Sequence, residues 1–104
     1  MNSTSTIEST DIYIKRQPPY NLILLNDEYH SDLYVIAMCK KIFSHSEQKC
    51  QSIVREVHNT GRSIIFTGNL ELVELKQEQV HACGADLAVK NSKGSMSTEI
   101  EPAS

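Results

Sequence analysis

Three polar residues in this chain have the types needed to hold an ammonium group, and two of them are neighbours. Asn26 and Asp27 follow directly on the apolar run Leu22-Ile23-Leu24-Leu25, in the stretch LILLNDEYH, and His58 stands in VREVHNTG. An ammonium presents only hydrogens, so it needs several acceptors at short range, ideally with a carboxylate among them. A side-chain amide oxygen, a carboxylate and the lone pair of a neutral imidazole together meet that need. Val35, Val54, Val57 and Met96 are candidates for an apolar socket beside them. Each of these residues also has a plainer reading. Asn-Asp-Glu can end a strand and lead into a helix, a histidine in a last helical turn suits the dipole, and valines at helical spacing are ordinary core. From spacing alone the plainer readings prevail.

Other chemistries find less support. His30, His45, His58 and His81 show no HxH or HxxxH spacing, and Cys39, Cys50 and Cys83 form no CxxC pair, so no metal or other cofactor is expected. Three widely spaced cysteines read as free, partly buried thiols in a reducing cytosol. No GxSxG elbow, cysteine-protease signature or Gly-rich phosphate loop is present, and the chain is not expected to be an enzyme. The net charge of −3 and scattered basic residues argue against a nucleic-acid partner. No apolar run approaches the roughly 20 residues that span a bilayer, and the N-terminus lacks a signal or transit pattern. A cytoplasmic location without membrane attachment is expected.

The candidate site must be positioned by the elements around it. With 104 residues the chain is long enough for one domain with its own core. Residues 1–17 are rich in Ser and Thr and read as a flexible N-terminal extension, closed by the stiff Pro18-Pro19 pair. The core domain is expected over 18–104. The run Leu22–Leu25 reads as a strand buried on both faces, which leaves Asn26 and Asp27 on a loop held by a core strand. Ser31 or Asp32 can cap a helix from Leu33 to Phe43, apolar around most of its circumference, with Leu33, Ile36, Ala37 and Phe43 along one face. Ser46 caps a second helix, whose stripe Cys50, Ile53, Val54 and Val57 follows i, i+3, i+4, i+7 spacing. Gly61 is its expected left-handed stop, which puts His58 in the last turn. Arg62–Thr67 reads as a strand, Asn69 caps a helix from Leu70 to about Cys83, and Gly84 ends it. Residues 85–94 form a connection to a last strand over Ser95–Glu101. The order β-α-α-β-α-β predicts an α+β fold, with a three-stranded antiparallel sheet and three helices on one face.

Three stretches, PPYNLILLNDEYH, VREVHNTGRS and ELVELKQEQV, together resemble the ClpS family, adaptors of the ATP-dependent Clp protease. The resemblance runs over about residues 18–103. It implies a small α+β domain that binds the N-terminal residue of proteins marked for degradation under the N-end rule and delivers them to a Clp AAA+ ATPase, of ClpA or ClpC type, and its ClpP protease. It also implies roles residue by residue. Asn26, Asp27 and His58 match the positions that bind the substrate's α-amino group. Val35, Val54, Val57 and Met96 match the pocket for a first residue such as Leu, Phe, Tyr or Trp. Glu28, His30 and Asp32 stand at its entrance, and Glu71 and Lys76 match the surface used against the ATPase. The flexible extension matches one that engages the ATPase during delivery. Glu28 replaces a common Asp, and His30 and Asp32 replace Thr and Met. The missing Met is the family's gate against β-branched residues, so a more open or more polar mouth is expected here. Val54 is smaller than the Met common at its position, which leaves room for larger rings.

Overall fold

Leu22, Ile23 and Leu24 are at most 1% exposed, and the fold is laid out around the strand that carries them. The computed structural model describes residues 18–103, and the extension expected over 1–17 lies outside them. Six elements follow the expected order: β1 (Tyr20–Leu25), α1 (Asp32–Phe43), α2 (Glu47–Thr60), β2 (Arg62–Gly68), α3 (Leu70–Ala82) and β3 (Thr98–Pro102). β1 lies between β2 and β3 and pairs antiparallel with both. The three helices pack on one face of this sheet.

β1 is buried on both faces for two different reasons. Leu22 and Leu24 point into the helices and join Ile53, Val57, Val73 and Val80 in the core. Ile23 lies on the open face beside Ile64, Arg62 and Glu101. Arg62 on β2 donates to Glu101 on β3 at 3.0 Å, so its side chain crosses the central strand and helps to cover Ile23. A bulge in the β1–β2 pairing adds a residue to β2: Leu22 faces Phe66 and Ile23 faces Ile64, with Ile65 between. Ile65 and Phe66 therefore both reach the core although they are consecutive. His45 Nε2 meets the carbonyl of Ile65 at 2.7 Å at this irregularity.

The helix boundaries are set by local chemistry. Ser31, Ser46 and Asn69 accept from the amides of Tyr34, Lys49 and Leu72 and act as N-caps. Gly61 ends α2 at φ 86, a left-handed conformation that costs glycine little. The α2 stripe is buried as expected, with Cys50, Ile53, Val54 and Val57 each at or below 9% exposure. Two expectations are corrected. Leu33, assigned to the apolar face of α1, is 78% exposed; Val35, Met38 and Cys39 carry the burial, because the helix rests on one side only. The last strand begins at Thr98 and runs to Pro102, so Met96 lies in the preceding loop. Gly94, at φ 78, turns the chain just before it, and Met96 enters the core from that loop at 3% exposure.

Candidate functional site

The end of β1 is tied on both sides. The Leu25 amide donates to the carbonyl of Ser97 at 3.1 Å, and the Asn26 amide donates to the carbonyl of Gly61 at 3.0 Å. The first bond brings the Met96 loop to the end of the strand. The second brings the C-terminus of α2, and with it His58, to the Asn-Asp loop. Asn26, Asp27, His30, Asp32, Val35, Val54, Val57, His58 and Met96 consequently line one small pocket. Polar residues come from the loop and helix ends, and the valines from the facing sides of α1 and α2. The volume open to a water-sized sphere is about 10 Å³, close to what a single water needs.

Asp27 is held by its own loop. Its Oδ1 accepts from the Tyr29 amide at 2.8 Å, and its Oδ2 lies 2.9 Å from His30 Nδ1. A carboxylate offers about four lone-pair sites, so acceptor capacity remains for a ligand. His30, expected at the pocket entrance, turns its ring inward: the side chain is only 2% exposed. Its Nε2 faces the carbonyls of Gly94 at 3.1 Å and Gly84 at 3.3 Å. Both ring nitrogens thus face acceptors. One side chain fastens the Asn-Asp loop to both ends of the 84–94 connection.

That connection is fastened twice more. Asp86, buried, accepts from the amide and the hydroxyl of Ser31, each at 2.8 Å. These bonds hold its carboxyl below the usual carboxylate range, aided by the Ala88 amide and the charge of His30. Tyr34 donates its hydroxyl to the Gly84 carbonyl. Burial, then the negative surroundings of Cys83, Asp86 and Asp27, push the Tyr34 hydroxyl up to about 12. Asp86 and Tyr34 do not stand out in the sequence, because their partners lie 50 or more residues away. Asp86 does carry a local signal: its Oδ1 accepts from the Ala88 amide two residues on, an Asx turn.

At the mouth, His58 Nε2 lies 2.7 Å from Asp32 Oδ1, joining the last turn of α2 to the first of α1. Both side chains are more than half exposed. Glu28 is exposed and does not line the pocket. Glu71 and Lys76 lie elsewhere, on α3. Glu71 is exposed, whereas Lys76 is half-buried, donates to the Ile42 carbonyl at 2.8 Å and lies over the Phe43 ring. Leu72 and Leu75 are exposed beside them. Burial pushes the Cys39 thiol up to about 12, which leaves it unreactive. Among the described residues no group of three His, Cys, Asp or Glu side chains is placed to hold a metal ion, and no helix is long and apolar enough to cross a membrane.

Comparison with known proteins places the chain in a family. Residues 15–90 match the family model described as ATP-dependent Clp protease adaptor protein ClpS. The ClpS adapter protein of Pectobacterium carotovorum is 35% identical over 69 residues, covering 64% of this chain and 65% of its own length. That of Mycobacterium marinum is 30% identical over 66 residues, with 64% and 65% covered. The chain thus spans just under two thirds of the length of these two relatives. The structure of Agrobacterium tumefaciens ClpS2 bound to L-phenylalaninamide shares the fold, with a TM-score of 0.68 and 24% identity over 83% of this chain and all of that one. The matched stretch runs from ahead of β1 to beyond α3, and the chain belongs to the ClpS family of Clp protease adaptors.

Proposed function

We propose that this protein binds the free α-amino group and the bulky apolar first residue of proteins marked for degradation, and hands them to a Clp ATPase of ClpA or ClpC type in the cytoplasm. The observation that carries this reading is the pocket itself: Asn26, Asp27 and His58 meet at a mouth whose walls are Val35, Val54, Val57 and Met96. A free α-amine is charged below its pKa of about 7.7–8, and an ammonium there gains charge-assisted bonds to Asp27 and the imidazole. A Leu, Phe, Tyr or Trp side chain buried beyond it gains roughly 1.5–3 kcal/mol. The family relative bound to L-phenylalaninamide holds a ligand of this chemistry, a free amine beside an aromatic side chain. With only about 10 Å³ open to a water-sized sphere, admitting a ring on this reading requires the walls to part. Met96, unbranched and on a loop, is the wall best able to yield. Glu71 and the exposed Leu72 and Leu75 of α3 are the face for the ATPase, with Lys76 contributing its stem beside them.

The narrow pocket also favours a second reading, an interaction domain that docks on a Clp ATPase without reading N-termini. Fluorescence anisotropy with labelled peptides beginning Leu, Phe, Ile or Met separates the two. Binding of the Leu and Phe peptides, lost in His58→Ala, is expected. Equal, weak signals for all four peptides alongside intact ATPase binding would favour the second reading. Asp32→Met is expected to widen the preference for Leu over Ile, since it restores a bulky gate at the mouth.

A further inference from the structure

Asp32 and His58 make a bond whose geometry does more than its strength. An exposed pair of this kind contributes little to stability. The two residues nevertheless meet at 2.7 Å between two helices, at the rim of the pocket. A carboxylate has only lone pairs to offer, so the nitrogen facing it must carry the hydrogen: His58 Nε2–H donates to Asp32 Oδ1. A neutral imidazole has one N–H, so Nδ1 is left with its lone pair. That nitrogen makes no hydrogen bond within the described residues. An ammonium, which brings only hydrogens, can use an imidazole only through such a lone pair.

We infer that Asp32 is a positioning residue for amine binding: it fixes the tautomer and the orientation of His58, so that Nδ1 is the acceptor turned to the ligand. This rests on the proposed reading for the identity of the ligand, but the tautomer can be measured without any ligand. The role differs from a second carboxylate attracting the ammonium directly. An asparagine at 32 keeps an oxygen that accepts from Nε2–H and gives up the charge.

The test uses the full chain at a pH where the ring is neutral. Long-range proton–nitrogen NMR of His58 is expected to find the hydrogen on Nε2 and none on Nδ1. In Asp32→Ala the ring becomes a mixture of tautomers, and affinity for a free Phe peptide falls roughly three- to tenfold, the scale of one exposed hydrogen bond. Asp32→Asn restores both the tautomer and most of the affinity. A hydrogen on Nδ1 in the unsubstituted protein overturns the inference, as does an Asp32→Asn affinity as low as that of Asp32→Ala. The first failure leaves amine binding standing. A protein that binds no free N-terminus in any form removes the ligand, and the positioning role falls with the proposed function.

Discussion

Asp27 is the side chain on which the amine-binding reading turns, and its orientation is decided by residues that touch no ligand. His30 holds one carboxylate oxygen and the Tyr29 amide the other. Replacing His30 by Ala frees Asp27 and detaches the carbonyls of Gly84 and Gly94. The expected outcome is a loss of about 1–3 kcal/mol in stability, the cost of unmade hydrogen bonds at a buried site, together with weaker peptide binding, read by denaturant melts and anisotropy. Asp86 yields a pH prediction with a definite sign. Its carboxyl is depressed in the folded state by Ser31, so the stability it contributes is present above the unfolded carboxylate's pKa of about 3.9. That stability is lost as the pH falls through the lower, folded value. Asp86→Asn should therefore lower the melting temperature near neutrality and flatten its decline in acid, as measured by thermal melts across pH. Tyr34 acts at the other end. Its hydroxyl is raised to about 12, so its contribution is full below about pH 10 and lost as the pH climbs towards 12. Tyr34→Phe should remove that alkaline loss. The ties to the 84–94 connection were not legible in the sequence, since each joins the Asn-Asp loop or the start of α1 to residues 50 or more positions on, and hydrogen-bond partners at that separation leave no local pattern.

Elements, by contrast, were largely legible, because their limits are set by neighbours in the chain. Ser31, Ser46 and Asn69 cap through bonds to amides three residues on, and Gly61 stops α2 through its own backbone. The period of Cys50, Ile53, Val54 and Val57 identified the buried stripe of α2. Apolar content alone does not imply burial. Leu33 is apolar and exposed because one side of a helix in an outer layer always faces water. β3 starts later than the alternation of Met96 and Ile100 implies, because the turn at Gly94 delivers Met96 from a loop. The capping glycine carries the element-scale prediction. A methyl group at Gly61 would meet nothing within 4 Å, but φ there is positive, so only backbone strain opposes a substitution. Gly61→Ala should cost about 1–2 kcal/mol in denaturant melts, and because the Gly61 carbonyl holds the Asn26 amide it should also weaken peptide binding.

At the scale of the molecule, the two proposed binding surfaces lie apart. The pocket lies where β1 ends between α1 and α2, and the exposed leucines of α3 face elsewhere. Peptide binding and ATPase binding should therefore be separable by substitution. Glu71→Lys is expected to weaken the ATPase complex in a pull-down while peptide affinity stays within about twofold, since surface charges this far from a site couple weakly. Removal of residues 1–17 should likewise spare peptide binding and abolish delivery in a degradation assay. The family resemblance pointed to most of the pocket residues because the Asn-Asp loop and the helix-end histidine recur together, and the backbone bond from Asn26 to Gly61 is the physical reason that they meet.

Whether the pocket reads a free α-amine is decided most directly by one comparison: the affinity for a Phe-initiated peptide with and without N-acetylation. Acetylation removes the charge and two of the ammonium's three N–H donors, so Asp27 and His58 can no longer both be satisfied by charge-assisted bonds. Binding of the free peptide is expected to be lost on acetylation by a factor of about 100 or more, the scale of 1.5–3 kcal/mol per charged hydrogen bond over two acceptors. Equal affinity for the two peptides would contradict amine recognition.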